Sequence, residues 1–214
     1  MQPNLPDMDK KYTLTIGRQL GSGGREIGEQ LASRLGIAFY DKELIQIASQ
    51  ESGLGKQFFE QADEKKSHSL FGGQFPILGS WTDEYYSTNY LSNETLFQIQ
   101  SDVIRKLAEK QSAVFVGRCA DYILKDNPHC LNIFISANIH DRVNRIAQLQ
   151  QISEKKALDM IEKTDKKRAS YYNYYSNKIW GSASSYDLCV NSSFWGIDQT
   201  VSFIYQLVKQ KFEV

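Results

Sequence analysis

The chain has 214 residues, with Lys plus Arg balanced against Asp plus Glu at 25 each, so it is long enough for one sizeable core and carries no global basic field for nucleic acid. A hydrophobic fraction of 41%, with 12 tyrosines and 11 phenylalanines, excludes disorder on a large scale. Cys119, Cys130 and Cys189 lie far apart with no CxxC or metal-ligand spacing, the first residues lack a charged-then-apolar pattern, and no run of about 18 apolar residues occurs. A disulfide framework, a zinc site, secretion and membrane spanning are therefore not expected, and the cytoplasm is the expected compartment.

In chain order, "YTLTI" (12–16) reads as a short buried strand, and Ile27, Leu31 and Leu35 then recur at intervals of four, the stripe of a helix. "IAFYD" (37–41) is a second strand, and "KELIQIASQ" (42–50) carries helical spacing again. From 51 to 92 the pattern breaks into glycines, Pro76, charges and scattered aromatics, and that segment has no readable periodicity. A helix is expected over 94–110, a strand over 113–116, a fourth strand over 131–137, a fifth over 187–191 and a closing helix over 197–212. Strands alternating with helices imply a parallel sheet of about five strands covered on both faces, an open α/β architecture. Such sheets bind ligands beyond the carboxyl ends of their strands, where the glycine loop, Tyr40 and Asp41, and Gly117 with Arg118 all fall.

The loop "GSGG" (21–24) joins the first strand to the first helix, and glycines there let backbone N–H groups curl round a phosphate at a helix N-terminus. The usual phosphate-loop pattern is GxxxxGK[ST], with lysine on the terminal phosphates and a hydroxyl on magnesium. With its second glycine on Gly23, Arg18 stands at the first glycine, Gly24 at the lysine and Arg25 at the hydroxyl residue. The strict motif fails. GxGxxG fails too, because Glu26 stands where a third glycine belongs, and no HRD or DFG triplet is present. Guanidinium holds phosphate oxygens bidentately, so Arg25, with Arg18 in support, is the expected substitute for the lysine's charge. The plainer alternative makes Arg25 an exposed first-turn residue paired with Glu26 or Glu29.

"GRQLGSGGREIGEQLASRLGIAFYDKELI", "AVFVGRCADYIL", "NIFISANIHDRVNRI" and "DKKRASYYNYYS" together resemble the cytidylate kinase-like family, relatives of the nucleoside monophosphate kinases within the P-loop NTPase fold. The resemblance implies one kinase-like domain over 12–214 after an N-terminal extension (1–11), with an acceptor-binding insertion at 51–92 and a helical lid at 138–178. It further implies that Gly21, Ser22, Gly23, Gly24 and Arg25, with Arg18, hold the phosphates of ATP, and that Arg118 grips the acceptor monophosphate near Tyr40 and Asp41. Arg142, Arg145, Asp165 and Arg168 are the implied lid residues, with Arg25, Arg118 and Arg168 carrying catalysis. The departures at Gly24 and Arg25 leave the magnesium ligand unassigned, with Ser22 and Asp41 as weak candidates.

The activity so implied is transfer of the ATP γ-phosphate to CMP or dCMP with Mg2+, without nucleic-acid or membrane partners. A catalytically inactive nucleotide-binding module of the same fold, or a kinase for another small acceptor, are the alternatives. The aromatics of 51–92 would suit a homodimer interface. The tyrosines at 171, 172, 174 and 175 are expected to pack the lid helices against the domain rather than to stack on nucleic-acid bases, and His68, His129 and His140 show no metal or triad spacing.

Overall fold

The computed structural model describes residues 11–41 and 90–214, together with positions 45, 47 and 53. The chain divides into two compact units, Met1–Asp41 with Leu107–Val214, and Lys42–Lys106. The first contains a parallel five-stranded sheet. Its strands are β1 (Thr13–Arg18), β2 (Ala38–Tyr40), β3 (Ala113–Val116), β4 (Cys130–Ser136) and β5 (Leu188–Asn191). Their order in the sheet is β2-β3-β1-β4-β5, so β1 lies at the centre. Parallel pairing requires a crossover between consecutive strands, which is why strand and helix alternate along the sequence.

Leu14, Ile16, Val114, Val116, Ile133 and Ile135 point to one face and pack against Ile27 and Leu31 of helix α1 (Gly24–Leu35). Val201, Ile204 and Val208 of helix α6 (Ser192–Phe212) complete this core. The other face presents Phe115 and Phe134, with Tyr40 stacked on Phe115 at 5.3 Å and Trp180 and Tyr186 against Phe134 at 5.2 and 4.9 Å. A short helix, α3 (Ala120–Ile123), follows β3. The strands read as near-continuous apolar runs because both faces are covered.

Helices α4 (Ile139–Gln150) and α5 (Glu154–Ser176) form a hairpin with its own small core of Val143, Ile146, Ala157 and Ile161. Ser153 caps α5 by accepting from the Lys156 amide, the expected use of a serine at a helix start. In the second unit, helix α2 (Tyr90–Lys110, its last turn belonging to the first unit) buries Leu96, Ile99, Val103 and Ile104. Among the described residues no helix is long and apolar enough to cross a membrane.

The expected strands appear within two residues of their anticipated bounds. The closing helix begins earlier than the periodicity indicates, at Ser192, because Gly196 (φ 76°, ψ 175°) breaks it and the apolar stripe starts only beyond that kink. The helix expected over 42–50 lies outside the described residues, apart from Ile45 and Ile47, which are helical, as does nearly all of the insertion expected over 51–92, with His68.

Leu31 is fully buried between α1 and the sheet. Leu31→Ala should lower the unfolding free energy by about 2 to 5 kcal/mol in urea denaturation, and a loss below about 1 kcal/mol would show that α1 is not anchored there.

Candidate active site

The loop from Gln19 to Gly23 leaves the carboxyl end of β1 and enters α1. Gly21 (φ 81°) and Gly23 (φ 75°) adopt the left-handed backbone that the turn requires. Gly21 is constrained twice over, since a Cβ there would lie 2.8 Å from the Arg142 carbonyl oxygen. Gly23 caps α1 with no side-chain hydrogen bond, so no side-chain oxygen competes for the first-turn N–H groups, which a helix cannot satisfy internally. Ser22 is buried, and its hydroxyl donates to the Gln19 carbonyl at 2.9 Å. Ser192 ties the loop to the sheet by donating to the carbonyls of Ser22 at 2.7 Å and Ser136 at 3.1 Å.

The α4–α5 hairpin grips the same loop from residues more than 100 positions away. The Leu20 amide donates to Asp165 Oδ1 at 2.8 Å, and the Leu20 carbonyl accepts from Arg142 Nε at 2.7 Å. Arg142 and Asp165 close the arrangement with an ion pair, and both side chains are largely buried. Arg168 donates to the Arg18 carbonyl at 3.1 Å, while the Leu20 side chain packs on the hairpin's core. Of the four lid residues named from the sequence, Arg142, Asp165 and Arg168 thus hold loop backbone.

Arg25 turns to the flank of α1. Its Nε and Nη2 both reach Asp41 Oδ2 at 2.8 Å, its Nη1 reaches Glu29 at 3.0 Å, and its guanidinium lies 5.6 Å from the centre of the Phe39 ring. Asp41 is buried in that pair, and Tyr40 accepts from Gln111 at 2.9 Å. Arg145 pairs with Glu26 in the first turn of α1 at 3.0 Å.

Two concavities flank the loop. A small cavity of about 50 Å³ at the carboxyl ends of β1 and β3 is lined by Arg18, Arg118, Arg168, Asp121, Tyr171, Tyr172 and Tyr186 among others. A wider groove of about 670 Å³ runs past Gly21 and Glu26 to Asn144, Arg145, Ser192, Ser193 and Gly196. Tyr40 and Asp41 line neither.

Arg118 follows Gly117 into three successive left-handed residues, Gly117 (φ 83°), Arg118 (φ 57°) and Cys119 (φ 54°). Two of them are not glycine, a strain that local packing must hold in place. The guanidinium lies 5.6 Å from the Tyr171 ring centre, and its Nε is buried without a hydrogen-bond partner among the described residues. Burial raises the phenol of Tyr171 well above its usual range, so it stays neutral beside the arginine. Asp121 accepts from the Tyr172 hydroxyl at 2.7 Å rather than pairing with Arg118. Burial raises its pKa, opposed by that hydrogen bond. Burial likewise pushes the Cys119 thiol far up, which keeps it a packing residue.

Sequence reasoning expected Tyr171 only to pack the lid helices, and did not single out Tyr186 around the arginines or Ser192, Ser193 and Gly196 in the groove. Gly196 carried a signal, as a glycine interrupting a helical stretch. Among the described residues no group of three or more His, Cys, Asp or Glu gathers to hold a metal ion.

Residues 13–194 match the model of the cytidylate kinase-like family. The chain belongs to that family. It is 32% identical over 98 residues to a cytidylate kinase of Thermococcus kodakarensis, covering 45% of this chain and 49% of that one, so the chain spans about half the length of that relative. A cytidylate kinase of Pyrococcus horikoshii is 25% identical over 186 residues, covering 86% and 82%. Among solved structures, an uncharacterized protein from Eubacterium ventriosum superimposes with a TM-score of 0.70 at 28% identity, over 93% of this chain and 99% of that one. Shikimate kinase from Bacteroides thetaiotaomicron aligns with a TM-score of 0.50 at 15% identity, over 92% and 98%, a likeness of fold. The sheet is that of the P-loop kinases.

Asp165→Ala would leave Arg142 buried without its carboxylate and the Leu20 amide without its acceptor. The expected cost is about 3 to 5 kcal/mol in urea denaturation; a cost below about 1 kcal/mol would mean the hairpin does not hold the loop.

Proposed function

We propose that this protein is a nucleoside monophosphate kinase that moves the γ-phosphate of Mg-ATP to CMP or dCMP. The observation that carries the reading is the meeting of Arg18, Arg118 and Arg168 around one cavity beside the glycine loop, with an Nε on Arg118 that is buried and unpartnered among the described residues. A buried guanidinium nitrogen left without an acceptor is costly, and a phosphate oxygen is the group it suits. Membership of the cytidylate kinase-like family and two cytidylate kinase relatives support a pyrimidine monophosphate as the acceptor.

In this reading the donor lies along the wider groove, its phosphates on the loop and the N-terminus of α1, its nucleoside toward Arg145, Ser193 and Gly196. The acceptor phosphate lies on Arg118. An acceptor phosphate oxygen attacks the γ-phosphorus, the bond from that phosphorus to the bridging oxygen breaks, and ADP leaves with the electron pair. The attacking phosphate is already ionised near neutral pH, so no general base is needed. That fits a cavity whose one carboxylate among the described residues, Asp121, is occupied by Tyr172. What the site must supply is alignment, exclusion of water and positive charge, and arginines from three segments supply the charge. Magnesium, bound with the ATP, would supply charge at its phosphates, as this hard cation commonly does. The cytoplasm, where these substrates are found, is the proposed compartment.

A second reading, a nucleotide-binding module without catalysis, is favoured by Arg25 being tied to Asp41 and Glu29 while Gly24 stands at the lysine position. An ADP-release assay with Mg-ATP against CMP, dCMP, UMP, AMP and GMP separates the two. Turnover with CMP or dCMP is expected, and Arg118→Ala should reduce it by about three to five powers of ten. Binding of ATP in calorimetry with no ADP formed from any acceptor would replace the kinase by the module.

A further inference from the structure

Gly24 has no conformational need to be glycine. It is the first residue of α1, and its φ lies outside the left-handed region. What excludes a side chain is Arg18: a Cβ on Gly24 would lie 2.5 Å from the Arg18 Cβ and 3.1 Å from its Cγ. The stem of Arg18 therefore fills the space through which a side chain at position 24 would leave the helix. Gly117 makes the second notch, since a Cβ there would lie 2.2 Å from Arg18 Nη1 and 3.1 Å from its Cζ. The Gly117 amide donates to the Ile16 carbonyl at 3.1 Å, which sets the end of β3 beside the end of β1 just where that guanidinium crosses. Arg168 holds the Arg18 carbonyl, and Arg18, Arg118 and Arg168 all line the one cavity.

From this we infer that Arg18 is the phosphate-contacting cation that replaced the loop lysine, entering from the end of β1 instead of the start of α1, with Gly24 as glycine because Arg18 needs its space, while Gly117, whose left-handed backbone (φ 83°) already favours glycine, leaves the Arg18 guanidinium room to cross. The inference rests on the kinase reading for its substrate. The charge reaches the boundary between loop and acceptor cavity, where the transferring phosphoryl group would pass, and a planar fork replaces a point charge. Arg25, turned to Asp41 and Glu29 on the flank of α1, points elsewhere.

The test is calorimetry of Mg-ATP and of AMP on the wild type, Arg18→Ala, Arg18→Lys, Gly24→Lys and the exchange Arg18→Gly/Gly24→Lys, with the ADP-release assay run alongside and circular dichroism confirming the fold. AMP lacks the terminal phosphates, so the ratio of the two affinities isolates the contact in question. Arg18→Ala should weaken ATP about tenfold to a hundredfold while leaving AMP nearly unchanged, the loss expected for a charged hydrogen-bonding partner. Arg18→Lys should keep part of that affinity. Gly24→Lys alone should lose ATP affinity, because two cationic stems compete for one space, and the exchange should regain most of it by restoring the ordinary arrangement.

An Arg18→Ala protein that keeps its preference for ATP within about twofold would overturn the inference, as would an exchange variant that is folded and no better than Arg18→Ala. A wild type that binds ATP without turning over any acceptor would remove the kinase reading and leave Arg18 to be decided by the affinity ratio. A wild type that binds no ATP would remove both.

Discussion

The Leu20 amide and carbonyl, half-buried in a turn, are both satisfied by one largely buried ion pair. Asp165 takes the amide and Arg142 gives to the carbonyl, while the two side chains neutralise each other. A buried charge pair contributes little to stability by itself, because desolvation offsets most of the attraction. Its consequence here is geometric. With Leu20 fixed at three points, side chain included, the glycines on either side of Ser22 have one path open to them, and the first turn of α1 is aimed at a defined place.

That fixation explains how the loop keeps its shape without the lysine found in most of its kind. The bracing comes from the α4–α5 hairpin, and the space along β1 is taken by Arg18. The same hairpin brings Arg168 to the Arg18 carbonyl and Tyr171 to Arg118, so loop geometry and the arginine-lined cavity depend on one element. Movement of α4 and α5 as a conventional lid would have to release Leu20 first. The site is therefore built as a coupled unit.

Much of the scaffold was legible in the chain. Strands announced themselves as apolar runs because a parallel sheet buries both faces, and α1 did so through Ile27, Leu31 and Leu35, of which Ile27 and Leu31 are fully buried. The glycine loop and the Gly117-Arg118 pair were visible because backbone turns leave a compositional trace. The direction of Arg25 was legible in part: its pairing with Glu29 was the plainer of the two sequence alternatives, while Asp41, which takes its Nε and Nη2 at the same time, was not anticipated as a partner. Nor did the tyrosines of α5 show that Tyr171 and Tyr172, adjacent in sequence, serve different partners, one beneath Arg118 and the other on Asp121.

What the sequence by itself determined is the alternation of strand and helix, the strand-loop-helix unit with its departures from the usual motif, and through its motifs the cytidylate kinase-like family. These are local properties, set by periodicity and by the backbone freedom of glycine over a few neighbouring residues. Only the tertiary structure decided that Arg18 fills the space beside Gly24 and Gly117, and that Arg142 and Asp165 face the Leu20 peptide from 122 and 145 positions away. The reason is physical: which side chain occupies a shared volume depends on packing among elements distant in sequence, and local periodicity carries no record of that competition.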